Sequence, residues 1–326
     1  MKTLFKWAAM AAVLTGFTSI FVSCGSSNSP SSPAATATPT PAAPTATPTP
    51  FYSAGPTTVV SSGIYQPYGI AYDSFSGSGN IWFLANSNPG TIYQYTPAGS
   101  LVSSSPYYQG SLTFKNPLQI NADPSGYLYV ADENNNQVEI FTPAGASVGT
   151  LTGYTKPTDA VVNAAGTTLY VVEEAGSTVT FLTYSITGTG YPKTYTPTSN
   201  SFPTSGAFDP SQSVCMALDP SGNVYVGDFG NADIIKYGPT GSGPSVFIPT
   251  ATGKTPYGFA FDSSGNLFVA EDVTTSFIQE YTSAGSASVS IGGFPASTGL
   301  TGLAVDSSGN LFVSDSTHNY VFEVKK

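Results

Sequence analysis

From Gly69 onward the chain repeats one pattern of apolar and polar positions: an apolar strand, an acidic residue, a tight Gly-containing turn, a second apolar strand and an acidic end. The copies are GIAYD…GNIWFLAN from Gly69, LQINADPSGYLYVAD from Leu118, DAVVNAAGTTLYVVEE from Asp159, CMALDPSGNVYVGD from Cys215, GFAFDSSGNLFVAED from Gly258 and GLAVDSSGNLFVSD from Gly302. The anchor residues Asp73, Asp123, Asn163, Asp219, Asp262 and Asp306 recur at intervals of 40 to 56 residues, room for four short strands per unit. A third strand follows in each copy (TIYQY, QVEIF, TVTFL, DIIKY, FIQEY, YVFEV), and turns such as TPAG at Thr96 and Thr142 come after it. Runs apolar at consecutive positions predict sheets buried on both faces. The last unit ends after its third strand, so the β-branched segment Thr57 to Ser62 (TTVVSS) is expected to supply the fourth by pairing with Asn319 to Val324.

The D-x-x-G-N turn, the YVAD strand and the TPAG turn together closely resemble the NHL repeat, over about 270 residues and all six units, with units 1 and 3 degenerate. The resemblance implies an all-β, six-bladed β-propeller over residues 55–326. WD and kelch signatures are missing, and the coils of a parallel β-helix are much shorter than these units. In a meander that reverses at every turn, the D-x-S-G-N and TPAG turns share one face of the ring. They are short and Gly-rich, as tight hairpins require. The opposite, variable face collects the second-to-third loops and the connections between blades.

Ahead of the repeats, Lys2 and Lys6 precede an apolar run, Trp7 to Val22, with the basic start and short core of a secretory signal peptide. Its end, Phe21-Val22-Ser23-Cys24-Gly25, resembles the bacterial lipobox, although Leu is usual where Phe21 stands. That resemblance implies a leader over residues 1–23, acylation of Cys24, and a lipid-anchored, periplasmic or surface-exposed protein of the bacterial cell envelope. Residues 25–50 carry no charge and no aromatic, so residues 24–54 read as a disordered Ser/Pro/Thr/Ala linker with polyproline II character. At roughly 3 Å per residue it spans up to about 80 Å.

Composition removes several function classes. Every one of the nine basic residues is Lys, against 19 Asp and Glu, and the pI is near 4.3. Such a chain has no clustered cations to displace counterions from phosphates, which excludes nucleic acid as a partner. Its single imidazole, His318, gives little material for zinc or triad chemistry. With Cys24 acylated, Cys215 is a lone thiol, expected to be buried where other copies have Gly. No disulfide framework is then available.

Candidate ligand residues lie on the variable face. Lys115, Lys156 and Lys254 fall one or two residues before Pro117, Pro157 and Pro256, and Tyr68 and Tyr257 follow Pro67 and Pro256. The second-to-third loops add Glu133, Glu173, Glu174, Glu271 and Asp272. The recurrent Asp132, Asp228, Asp272 and Asp315 read as turn-capping groups. Asn86, Glu173-Glu174 and Glu271 read as departures from the repeat, and the connection Thr187 to Ser213 as a cap on the pore. The set Tyr68, Lys115, Lys156, Glu173, Tyr257 and Glu271 is expected to hold a small-molecule, glycan or protein ligand on a monomer without a cofactor. Two other readings stand beside this binding module. One is an enzyme: GNIWFLAN resembles the GALWFTE phrase of streptogramin lyases, and a lactonase-like site would use Glu173, Asn86 and Glu271 around Ca2+. The other is a structural envelope protein.

Overall fold

The computed structural model describes residues 52, 54–73, 75, 79–86, 90–102, 113–175, 178–188, 190–200, 202, 214–228, 231–248, 256–271 and 275–326. The expectations for the leader, Cys24, most of the linker, Lys254 and Asp272 fall outside these residues. The described chain is a six-bladed β-propeller. Its inner strands are Pro67–Asp73, Pro117–Ala122, Pro157–Val162, Val214–Leu218, Pro256–Phe261 and Leu300–Val305, each touching the next around a closed ring. Every blade is an antiparallel meander numbered outward from its inner strand.

Closure follows the sequence expectation. Thr57–Val60 pairs antiparallel with Tyr320–Val324, with Thr57 opposite Glu323 and Val60 opposite Val321, and becomes the outer strand of blade 6. Val60 is buried, and Tyr52 just upstream donates its hydroxyl to the Gly309 carbonyl at 2.7 Å while its ring meets Phe268 edge-on. Two blades differ from the simplest pattern. Among the described residues blade 1 has three strands, with a bridge between Tyr95 and Leu101 after the third. Within the connection Thr187 to Ser213, expected to cap the pore, Thr194–Pro197 pairs with Thr178–Thr187 as the fourth strand of blade 3.

The core lies between blades. Among the described residues the buried side chains form six clusters, each shared by two neighbouring blades. Leu128–Asp132 shows why both faces of a strand are apolar: Leu128 and Val130 pack against blade 1, while Tyr129, between them, packs against blade 3. Fully burying each such side chain contributes about 1.5–3 kcal/mol.

The tight-turn face is held by the anchors. Asp123 Oδ1 accepts the N–H groups of Ser125 and Tyr127 at 2.8 and 2.9 Å, and Asp219, Asp262 and Asp306 repeat the arrangement. Gly126 in that turn has φ +80°, which a side chain rarely adopts.

Candidate functional site

On the variable face the strand register identifies equivalent positions. Asp132 lies opposite Pro117, Glu173 opposite Pro157, Asp228 opposite Val214, Glu271 opposite Pro256 and Asp315 opposite Leu300. Glu173 and Glu271 are therefore regular members of the repeat, each opposite the first residue of its inner strand, which corrects their reading as departures. Both are buried. Their position has a local duty: Asp132 Oδ1 accepts the Lys115 N–H at 2.8 Å, Glu173 Oε2 the Thr155 N–H at 2.7 Å, and Asp315 Oδ1 the Gly299 N–H at 3.0 Å. Each carboxylate thus pins the connection entering its own blade.

The single histidine belongs to the same device. Asn135 Nδ2 reaches Asp132 Oδ2 at 2.6 Å, Asn231 Nδ2 reaches Asp228 Oδ2 at 2.7 Å, and His318 Nδ1 lies 2.7 Å from Asp315 Oδ2, all three residues along. His318 also stacks on Tyr320. It is blade 6's version of a loop staple that blades 2 and 4 make with Asn. His318→Asn should accordingly shift the melting temperature by under about 2 °C in a thermal scan, whereas Asp315→Ala, which strips three backbone N–H groups of their acceptor, should lower it by several degrees.

The departures lie one residue further on, at Asn86, Glu133 and Glu174. They meet residues that immediately precede an inner strand and hold a left-handed backbone, Asn116 (φ +59°) and Lys156 (φ +52°). Asn86 Nδ2 donates to Asn116 Oδ1 at 2.9 Å, Asn116 Nδ2 donates to Glu133 Oε2, and Lys156 Nζ lies 3.2 Å from Glu133 Oε1. Glu174 completes the group from blade 3. It is 9% exposed, and its Oε1 is buried without a hydrogen-bond partner. Burial raises its carboxyl above the ordinary range, Glu133 adds to the rise, and Lys156 opposes it. On the inner strand of blade 1, burial pushes the Tyr68 phenol up to about 12, with smaller contributions from Tyr257, Cys215 and Glu133.

Of the sequence candidates, the structure brings Lys156 and Asn86 together and sets Tyr68 and Tyr257, both half-buried, near one another. Lys115 is exposed at the connection into blade 2, and Glu173 and Glu271 are buried opposite Pro157 and Pro256. Asn116 was missed. Its signal was available in the alignment of Gln66, Asn116 and Lys156 directly before Pro67, Pro117 and Pro157.

Deeper in the ring, the position four residues before each anchor carries Gly69, Gln119, Asp159, Cys215, Gly258 and Gly302. At Gly302 a Cβ would stand 2.4 Å from the Tyr68 carbonyl, so glycine there allows the inner strands of blades 6 and 1 to approach. On the other half Asp159 braces three blades, accepting the Asn121 Nδ2 at 2.7 Å and the Ala160 and Met216 N–H groups at 2.7 and 2.8 Å. Cys215 is buried as expected; its Sγ donates to the Pro256 carbonyl at 3.6 Å, and burial raises its thiol so that it stays protonated. A cavity of about 600 Å³ on the tight-turn side is lined by Tyr72, Met216, Leu218, Phe261 and Val305. The carboxylates at its rim, Asp123, Asp219 and Asp262, already accept turn N–H groups.

No protein-family model and no curated protein matches the chain. Solved structures do. A gluconolactonase from Xanthomonas campestris aligns with a TM-score of 0.61 at 12% identity, over 82% of this chain and 88% of that one. The calcium-binding protein regucalcin from Agrobacterium tumefaciens aligns at 0.57 and 15%, over 83% and 93%. A virginiamycin B lyase from Staphylococcus aureus, solved as an inactive variant with quinupristin, aligns at 0.54 and 14%, over 83% and 87%. At these identities the likeness is one of fold: this chain shares the β-propeller architecture of lactonase-like and streptogramin lyase-like proteins.

Proposed function

We propose that this chain is a binding module of the bacterial cell envelope, exported by a leader over residues 1–23, anchored through acylated Cys24, tethered by residues 24–54, and presenting the variable face of a monomeric NHL-like propeller to a small-molecule, glycan or protein ligand. The observation that supports it best is the polar network Asn86–Asn116–Glu133–Lys156 with Glu174, drawn from three blades at positions where the repeat is broken. The carboxylates opposite the inner strands accept backbone N–H groups, whereas these side chains meet one another. Amide, carboxylate and ammonium groups can read hydroxyl or charged groups along a polar ligand, and Tyr68 and Tyr257 are the aromatic groups proposed to cover its apolar side.

An enzyme of the lactonase or lyase kind is the second reading, favoured by the two buried carboxylates Glu133 and Glu174 and by oxygen chemistry that suits Ca2+. Against it, the Lys156 ammonium and the Asn116 amide nitrogen already face Glu133. Thermal melts of the propeller with oligosaccharides, with Ca2+ and with EDTA separate the readings: sugar-dependent melting supports the binder, and melting that falls with EDTA and recovers with Ca2+ supports the enzyme. The address has its own test. Cys24→Ala should release the protein from membranes and abolish palmitate labelling in a bacterial host; a variant that still fractionates with membranes and still labels refutes the anchor.

A further inference from the structure

The site proposed above contains two buried carboxylates and one ammonium. Glu133 is served by Lys156 on one oxygen and by the Asn116 amide on the other. Lys156 also acts on Glu174 through space, but Glu174 Oε1 is buried and makes no hydrogen bond. A buried acceptor left unpaired is destabilising, the more so when it carries charge. Lys156 is not immobilised by burial, since its side chain is 52% exposed while that of Glu133 is 10% exposed. An alkylammonium therefore already sits on one member of the pair at 3.2 Å, approaching from the open side. Among the described residues no ammonium makes such a contact with the other member.

We infer that the variable face recognises a ligand bearing a protonated primary amine, and that Glu174 receives it. Resting on the binding reading of this face, the inference adds the charge and donor chemistry of what is bound. The ammonium donates to Glu174 Oε1 in the position relative to Glu174 that Lys156 holds relative to Glu133, the carboxylate pair is then balanced by two cations, and the Asn86–Asn116 amides remain for hydroxyl groups next to the amine. A neutral sugar would satisfy the same oxygen through a hydroxyl but would leave the second carboxylate charge unbalanced.

Glucosamine and glucose differ at one position by this group, and calorimetric titration of each into the propeller at fixed salt reads the difference. Glucosamine is expected to bind at least about tenfold more tightly, the scale of one charge-assisted hydrogen bond. Glu174→Gln should remove that preference with no loss of melting temperature, because it substitutes a neutral amide for a carboxylate that has no donor on Oε1. Lys156→Met should act in the opposite direction, tightening glucosamine and leaving glucose unchanged, which a purely structural role for either residue does not explain. Equal affinity for the two sugars, weakened alike by Glu174→Gln, overturns the amine inference and keeps the face. Binding indifferent to Glu174→Gln and Lys156→Met overturns both. Binding of Ca2+ alone that is lost in Glu174→Gln, with no heat from glucosamine, overturns the amine in favour of a metal.

Discussion

A chain beginning at residue 63 is expected to melt about 10 °C below one beginning at residue 51, although the two differ by only twelve residues. The shorter chain loses Thr57–Val60, leaving the row of N–H and C=O groups on Tyr320–Val324 as an open sheet edge. It also loses Val60 from the cluster between blades 6 and 1, and Tyr52 from the cluster between blades 5 and 6. Burial of those two side chains alone is worth about 3–6 kcal/mol, and for a domain of this size each kcal/mol moves Tm by about 2 °C or slightly more. Removal of residues 25–50, by contrast, touches none of these contacts and should leave Tm unchanged. Scanning calorimetry of the two truncations decides the matter. Equal melting temperatures would show that the ring does not depend on the strand that joins its ends.

That closure was legible because several signals agreed on it: a last unit one strand short, a β-branched segment before the first unit, and a repeat long enough for four strands. The inner strands and the tight turns were equally plain, since Asp, Gly and Asn recur where the turn needs an acceptor and a positive φ. The candidate site was legible only in part. In the phrase YVVEE of blade 3 and VAED of blade 5, nothing in the letters says which acidic residue continues the ladder. Only the pairing of Glu173 with Pro157 and Glu271 with Pro256 shows that the first does. The letters alone therefore do not separate Glu173 and Glu271 from their neighbours, nor do they point to Asn116, which a left-handed backbone brings to Glu133. Asp159 was invisible for a different reason. Its partners, Asn121 and Met216, lie on the neighbouring inner strands, 38 and 57 residues away along the chain. Such a bond arises only when the ring is closed.

Lowering the pH from 8 to 5 should stabilise this propeller, the reverse of the usual behaviour of a protein whose carboxylates are paired with cations. Glu139, on the third strand of blade 2, is fully buried, and its partners are the neutral groups of Gln137 and Thr150. Desolvation pushes its carboxyl up to about 7, with the Thr150 hydrogen bonds opposing the rise. Asp159, also buried, is pushed up to about 7 in the same way, against the pull of its Met216, Ala160 and Asn121 hydrogen bonds. A carboxyl whose folded pKa exceeds its unfolded value holds its proton more tightly in the folded state. Its stabilising contribution is complete below the unfolded value near 4 and is lost as pH rises through about 7. For Glu139 that loss amounts to about 3 kcal/mol by pH 8. Blade 5 supplies the substitution that tests it. There Gln279 occupies the ladder position of Glu139 and Ser290 that of Thr150, and the amide satisfies its site by accepting from the Ser290 hydroxyl and donating to the Glu280 and Val289 carbonyls. Glu139→Gln should therefore raise Tm at pH 8 by about 6 °C, have little effect at pH 4, and flatten the slope between them. A Tm that rises with pH from 5 to 8 in the parent chain, or a Glu139→Gln effect that is the same at both pH values, would mean that Glu139 is ionised in the folded state across this range.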